Sequence, residues 1–121
     1  MAKEKITVAE TNAFIAQAKS VLSDEDRFEV INMIASNPKC GDVMKGTGGV
    51  RKVRVSLQGR GKSGGARVVY FYHNDEMPIF LFAVFAKNEK DNLTKTECNE
   101  LKKVTAQIVK EWKKGNQNDR L

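Results

Sequence analysis

The sequence predicts an α+β fold, with an N-terminal helical hairpin packed on a twisted antiparallel sheet and a C-terminal helix. Three observations carry this. Apolar residues recur at helical spacing before Asn37 and again after Thr94; between those stretches the period drops to that of strands; and turn-forming residues separate the strand-like runs. With 121 residues, 40% of them apolar, the chain can bury one core. A single domain over residues 1–115 is therefore expected, followed by a disordered tail over 116–121.

The first element, Lys3 to Ala9, alternates Ile6 and Val8 with polar neighbours and suits a short strand, although Thr7 to Glu10 also has the form of a helix-capping box. Phe14, Ile15, Ala18, Val21 and Leu22 then trace one face of a helix. Ser23 is a capping side chain, and Asp24, Glu25 and Asp26 suit the positive end of a second helix. Its apolar face is read as Phe28, Val30, Ile31 and Ile34, and Asn37-Pro38 stops it. So short a link between the helices implies an antiparallel hairpin. Next, Val53, Val55 and Leu57 alternate with Lys52, Arg54 and Ser56, which in a strand puts both cations on the face opposite the apolar residues. Ala66 to Tyr72 and Ile79 to Phe85 are near-continuous apolar runs of strand length, joined by a turn over His73 to Pro78. Thr94 to Glu97 is a capping box for a last helix, with the stripe Cys98, Leu101, Val104, Ile108 and Trp112, and Gly115 is expected to end it. The order reads β-α-α-β-β-β-α, with the helices on one face of the sheet.

Charge is the strongest functional signal. Between Val43 and Asn74 the chain has seven cations (Lys45, Arg51, Lys52, Arg54, Arg60, Lys62 and Arg67) and no Asp or Glu, whereas the remainder holds fourteen basic and fifteen acidic residues. The net charge of +6 thus resides in one segment, together with seven of the nine glycines. Most charge runs are solvated faces, but so long a stretch without acids repels itself and is matched by a polyanion, because each cation that meets a phosphate releases counterions. Arg67 adds to this. It lies in a strand whose other members read as buried, and a desolvated arginine near Arg54 needs a phosphate or carboxylate to complete it.

Other chemistry is scarce. Gly59 to Gly64 satisfies the spacing of a nucleotide-binding glycine loop, but Ser56 stands where a P-loop needs glycine, and strand-type rather than helical sequence follows. A hairpin tip carrying Arg60 and Lys62 is the better reading. His73, the one histidine, sits in a turn, and Cys40 and Cys98 lack ligand-type neighbours, so no metal site, disulfide or cofactor is expected. Any chemistry in the basic half falls to Lys and Arg. RNA suits such a site, since its 2'-hydroxyl is an internal nucleophile, crowded lysines can act as bases, and arginines stabilise charge building on phosphate. The aromatic residues read mainly as core; Phe85, near Lys87 at a strand end, is the one placed to stack on a base. The N-terminus lacks the apolar run of a signal peptide and no stretch is long enough to span a membrane, so a cytoplasmic protein without a membrane partner is expected.

Three ordered stretches, Asn37 to Val55, Gly61 to Tyr70 and Ala86 to Thr94, resemble the RelE/HigB superfamily of toxins from bacterial type II toxin-antitoxin systems, with the greatest likeness to its HigB-type branch. The resemblance covers about Pro38 to Trp112. It implies a ribosome-dependent endoribonuclease, an mRNA interferase that cleaves translated mRNA in the A site by attack of a 2'-hydroxyl on the adjacent phosphate, without a metal. Partners implied are mRNA on the 70S ribosome with its 16S ribosomal RNA, and a cognate antitoxin with a helix-turn-helix domain. By position, Lys52 and Arg54 match the basic strand pair of the family site, Arg67 matches its phosphate-binding arginine, and Lys87 falls in the basic motif after the last strand. RelE itself has arginine where this chain has Asn88 and a catalytic tyrosine where it has Thr94, so the proton-donor role moves to Lys62, Lys87 or Lys90. The expected catalytic set is Arg54, Lys62, Arg67 and Lys87, with Lys45, Arg51, Lys52, Arg60, Phe85 and Lys90 binding RNA. The competing readings are a non-enzymatic relative, such as a ParE-like poison of DNA gyrase, and an RNA-binding module without cleavage.

Overall fold

The computed structural model describes residues 6–57, 65–87 and 92–119. Its elements in chain order are β1 (Val8–Glu10), α1 (Asn12–Val21), α2 (Asp24–Ser36), β2 (Asp42–Val43), β3 (Val50–Val55), β4 (Ala66–Phe71), β5 (Ile79–Ala86) and α3 (Lys95–Asp119). One five-stranded sheet has the order β1-β5-β4-β3-β2. The fold is α+β, as the sequence predicts, but the sheet is mixed: β1 pairs with β5 in parallel, with Val8 opposite Ile79, while the other pairings are antiparallel. Helices α1 and α2 intervene between β1 and the later strands, so β1 need not return as a hairpin partner.

The helices do not share one face of the sheet, which corrects the sequence-based expectation. Phe14, Ala18 and Val21 of α1 and Val30 and Ile34 of α2 pack with Val68, Tyr70, Leu81 and Val84 on one face. Leu101, Ile108, Val109 and Trp112 of α3 pack with Val69, Phe71, Phe80 and Phe82 on the other. Strand β4 lies between these layers and is buried at every residue, which is why its sequence is near-continuously apolar instead of alternating. In β5 a register shift opposite Val69 and Tyr70 places Phe82 and Ala83 both with the α3 cluster. Gln17 of α1 meets this irregularity, its Oε1 accepting from Val84 N–H at 3.0 Å. On α2, Phe28 is 69% exposed and not part of the packed face. It lies two residues, or about 200°, around the helix from Val30.

The helix starts follow their capping signals. Thr11 accepts from Phe14 N–H at 3.2 Å while its hydroxyl donates to Leu81 O at 2.8 Å, so one side chain caps α1 and pins it to β5. Ser23 and Asp26 form a reciprocal capping box on α2, and Thr94 and Glu97 do the same before α3. The end of α3 departs from expectation. The helix runs through Gly115 to Asp119, and the positive-φ glycines among the described residues are Gly46, Gly48 and Gly49 instead, so Gly115 does not adopt the left-handed conformation that closes a helix. Val104 is 40% exposed, and buried Thr105 takes its place on the packed side. Thr105 Oγ1 donates to Thr47 O at 3.3 Å, tying α3 to the turn between β2 and β3. Gly48 in that turn has φ +79° and a Cβ there would stand 2.5 Å from Thr105 Oγ1, so a side chain is excluded twice over.

Tyr70 anchors the segment between α2 and β2. Its hydroxyl donates to Pro38 O at 2.7 Å and accepts from Gly41 N–H at 2.8 Å, and a Cβ on Gly41 would lie 2.9 Å from that hydroxyl. Burial, reinforced by the hydrogen bond with Cys40, pushes the Tyr70 phenol well above its ordinary value. Because the folded value exceeds the unfolded one of about 10, the stabilisation is complete below pH 10 and declines as pH rises beyond it. Denaturant unfolding at pH 8 and pH 11 should therefore show a larger alkaline loss in wild type than in Tyr70→Phe. At pH 8 the variant should itself be weaker by about 1–3 kcal/mol for each backbone group left without a partner. Equal alkaline losses would show that Tyr70 does not govern this behaviour.

Candidate nucleic-acid interface

The pairing of β3 with β4 sets Arg54 opposite Arg67, and the pairing of β4 with β5 sets Arg67 opposite Phe85. Alternation along the strands puts Lys52 and Arg54 on the same face as Val50, and Arg67 on that of Val69 and Phe71, which is the α3 face. Lys52 and Arg54 thus do lie opposite Val53 and Val55, which pack on the α1–α2 side. Cross-strand neighbours have Cβ atoms about 4.5–5.5 Å apart, and like charges so placed destabilise a sheet. Arg67 is nonetheless buried, only 8% exposed, at the centre of a row of three strands.

Beside this pair is a cavity of ≈ 180 Å³ whose lining includes Arg54, Ser56, Gly65, Arg67 and Lys87. Lys87 is held at its edge by the bond from its backbone N–H to Gly65 O, 3.0 Å. Among the described residues lining the cavity are three cations and a hydroxyl, and no Asp or Glu. Two arginines and a lysine from three neighbouring strand ends line one cavity, a set of side chains whose chemistry suits a phosphate that gains negative charge during reaction. Among the described residues no group of three or more His, Cys, Asp or Glu is placed to hold a metal, and no helix is long and apolar enough to cross a membrane.

The structure sorts the residues singled out from the sequence. Arg54, Arg67 and Lys87 come together around the cavity, with Phe85 half-buried beside Arg67. Lys52 lies one step along β3 and donates to Asn92 Oδ1 at 3.2 Å. Lys45, exposed in the turn after β2, lines a neighbouring cavity with Lys52. Arg51 goes elsewhere: it shares strand parity with Val53 and Val55, and its Nη1 donates to Gly41 O at 2.7 Å, bracing the same segment as Tyr70. It is placed as a structural residue and not beside Arg54 and Arg67. Arg60, Lys62 and Lys90 lie outside the described residues. Sequence reasoning missed Ser56, Gly65 and Asn92 as members of this surface. The first two are made neighbours of Arg67 by strand register, and Asn92 stands within a motif whose other residues are more conspicuous.

Residues 5–118 match the model of a protein family described as the RelE toxin of the RelE/RelB toxin-antitoxin system. The chain belongs to the RelE toxin family. It is therefore the toxin member of a toxin-antitoxin pair, in a family of translation-inhibiting toxins that are generally ribonucleases, and membership implies a cognate antitoxin. A solved structure of the toxin RelE from E. coli, a mutant with two arginines changed to alanine in the free state, is similar to it. The TM-score is 0.53 with 13% sequence identity, covering 72% of this chain and 88% of that one. At this identity the likeness is one of fold: the mixed sheet and its helices are RelE-like, whereas Arg54, Arg67 and Lys87 take their significance from their own geometry.

Proposed function

We propose that this RelE-family toxin is a HigB-type, ribosome-dependent endoribonuclease that cleaves translated mRNA in the A site. The observation that carries this reading is the cross-strand pair Arg54–Arg67, joined by Lys87 in lining one cavity whose described residues include no carboxylate. In the proposed reaction the 2'-oxygen of one nucleotide attacks the adjacent phosphorus and the bond to the 5'-oxygen breaks, leaving a 2',3'-cyclic phosphate and a 5'-hydroxyl. Arg67 and Arg54 stabilise the charge gathering on the non-bridging oxygens. A proton leaves the 2'-hydroxyl and one reaches the 5'-oxygen. Lys87, which lines the cavity, moves a proton in this reading, with Lys62 and Lys90 the further candidates of the sequence. Since cations of the chain supply the charge, the step needs no metal. Phe85 stacks on a base, while Lys45, Lys52 and Arg60 follow the backbone of the message or of 16S ribosomal RNA. The cognate antitoxin, a helix-turn-helix protein in this reading, neutralises the toxin through an acidic segment laid on the same basic surface.

Expression without the antitoxin tests this in cells. Growth should stop, and primer extension on a translated message should show new 5' ends within codons. Arrest with intact mRNA and supercoiling-deficient DNA would overturn the reading in favour of a gyrase poison.

A further inference from the structure

We infer that a second cavity beside the phosphate site is a base-recognition subsite that selects guanine in the message; the inference rests on the RNA-cleaving reading above. This cavity, of ≈ 410 Å³, opens where β2 and β3 meet the segment before α3. It falls within the ~300–1,000 Å³ of ordinary small-ligand sites. Lys52 connects it to the first. It lies on the same face of β3 as Arg54 and two residues away, about 6.6 Å along the strand, a separation comparable with that of successive phosphates in an extended single strand. A message whose scissile phosphate sits between Arg54 and Arg67 therefore lays a neighbouring nucleotide over this cavity.

Its walls suit a base. Met44 and Leu93, both half-buried, supply apolar surface for the faces of a planar ring. Asp42, Lys45 and Asn92 supply the polar edge. Asn92 Oδ1 is occupied twice, accepting from Leu93 N–H at 3.0 Å and from Lys52 Nζ at 3.2 Å, which leaves the side-chain NH₂ as its donor toward a ligand. Lys52 directs its ammonium to Asn92 although Asp42 is its register partner across the strands, so the Asp42 carboxylate is not committed to that lysine. The cavity thus combines two adjacent acceptor oxygens with donors from Lys45 and Asn92. Guanine alone among the four bases carries two adjacent donors, N1–H and the N2 amino group, beside an acceptor, O6, on its pairing edge. The two oxygens of Asp42 take the donors and Lys45 or Asn92 donates to O6. Adenine and cytosine each offer one amino donor beside a ring acceptor, and uracil offers one donor between two acceptors. The position of Asp42 supports this assignment. It borders the acid-free stretch on its N-terminal side and faces Lys52 across the strands, and a carboxylate along the path of a polyanion is repelled unless it meets donors of the base.

The test uses purified toxin and ribosomes carrying messages that differ only at the nucleotides flanking the cleaved bond, with guanosine, inosine or adenosine at each in turn. Inosine keeps O6 and N1–H and lacks the N2 amino group. Wild type should cleave the guanosine message ~10-fold or more faster than the inosine one, and Asp42→Asn, which replaces one acceptor oxygen by a donor amide, should lose that ratio. A ratio undiminished in Asp42→Asn, or absent from wild type, overturns the subsite while leaving the ribonuclease reading intact. Failure of wild type to cleave any of the messages overturns the reading itself. A second readout needs no cleavage: GMP should shift the Asn92 side-chain amide resonances more than inosine monophosphate does in wild type, and equally in Asp42→Asn. Equal shifts by the two nucleotides in wild type would contradict the assignment.

Discussion

Arg67→Ala should slow single-turnover cleavage of ribosome-bound message by about 2–4 kcal/mol of transition-state stabilisation, roughly 30- to 1,000-fold, the usual consequence of losing one preorganised donor to a developing oxyanion. The expectation follows from where the residue is placed. Arg67 is 8% exposed, held in a strand buried along its length and set opposite Arg54, so its guanidinium is positioned before substrate arrives and is shielded from competing water. Surface cations of the segment, such as Lys45, are screened by solvent and should lose far less when neutralised. Arg67→Lys separates charge from geometry: it keeps the charge without the planar fork, so it should recover little of the rate if two oxygens of the phosphate are gripped together. The variants must remain folded for the comparison to count, which the unchanged flanking core residues Ala66 and Val68 favour and a denaturant midpoint checks. Wild-type cleavage by folded Arg67→Ala would remove this residue from the reaction.

Much of the fold was legible because its signals are local. Thr11, Ser23 and Thr94 cap helices by hydrogen bonds to residues three positions away, and such spacing can be read directly along a chain. The misreadings concern long-range partners. The parallel pairing of Val8 with Ile79 joins residues far apart in sequence, and β2, two residues long, is too short for any periodicity. The unbroken apolar run of β4 did carry the sign of burial on both faces, and with it the place of α3 on the side away from α1 and α2.

The site divides similarly. That Lys52 and Arg54 share a face was legible in the alternation with Val53 and Val55, and the same parity sets Arg51 on the other side, where it holds Gly41. Charge alone grouped all three. That Arg54 stands opposite Arg67 depends on the register of two strands, which the sequence between them does not dictate. Asn92 was hidden because its role comes from a bond to Lys52, forty positions away.

The proposed chemistry makes its sharpest demand on the substrate. A cluster of Arg and Lys supplies charge and proton transfer but no nucleophile, so the attacking oxygen must come from the RNA, where it is held beside the phosphorus with the advantage of an intramolecular reaction. The deciding measurement is cleavage by the purified toxin of a ribosome-bound message carrying a single 2'-deoxy nucleotide on the 5' side of the scissile phosphate. The account predicts that the all-ribose message is cut there to a 2',3'-cyclic phosphate and a 5'-hydroxyl, and that the 2'-deoxy message is not cut at that bond though it still binds. Cleavage of the 2'-deoxy bond at a comparable rate, or products ending in a 5'-phosphate, would contradict it.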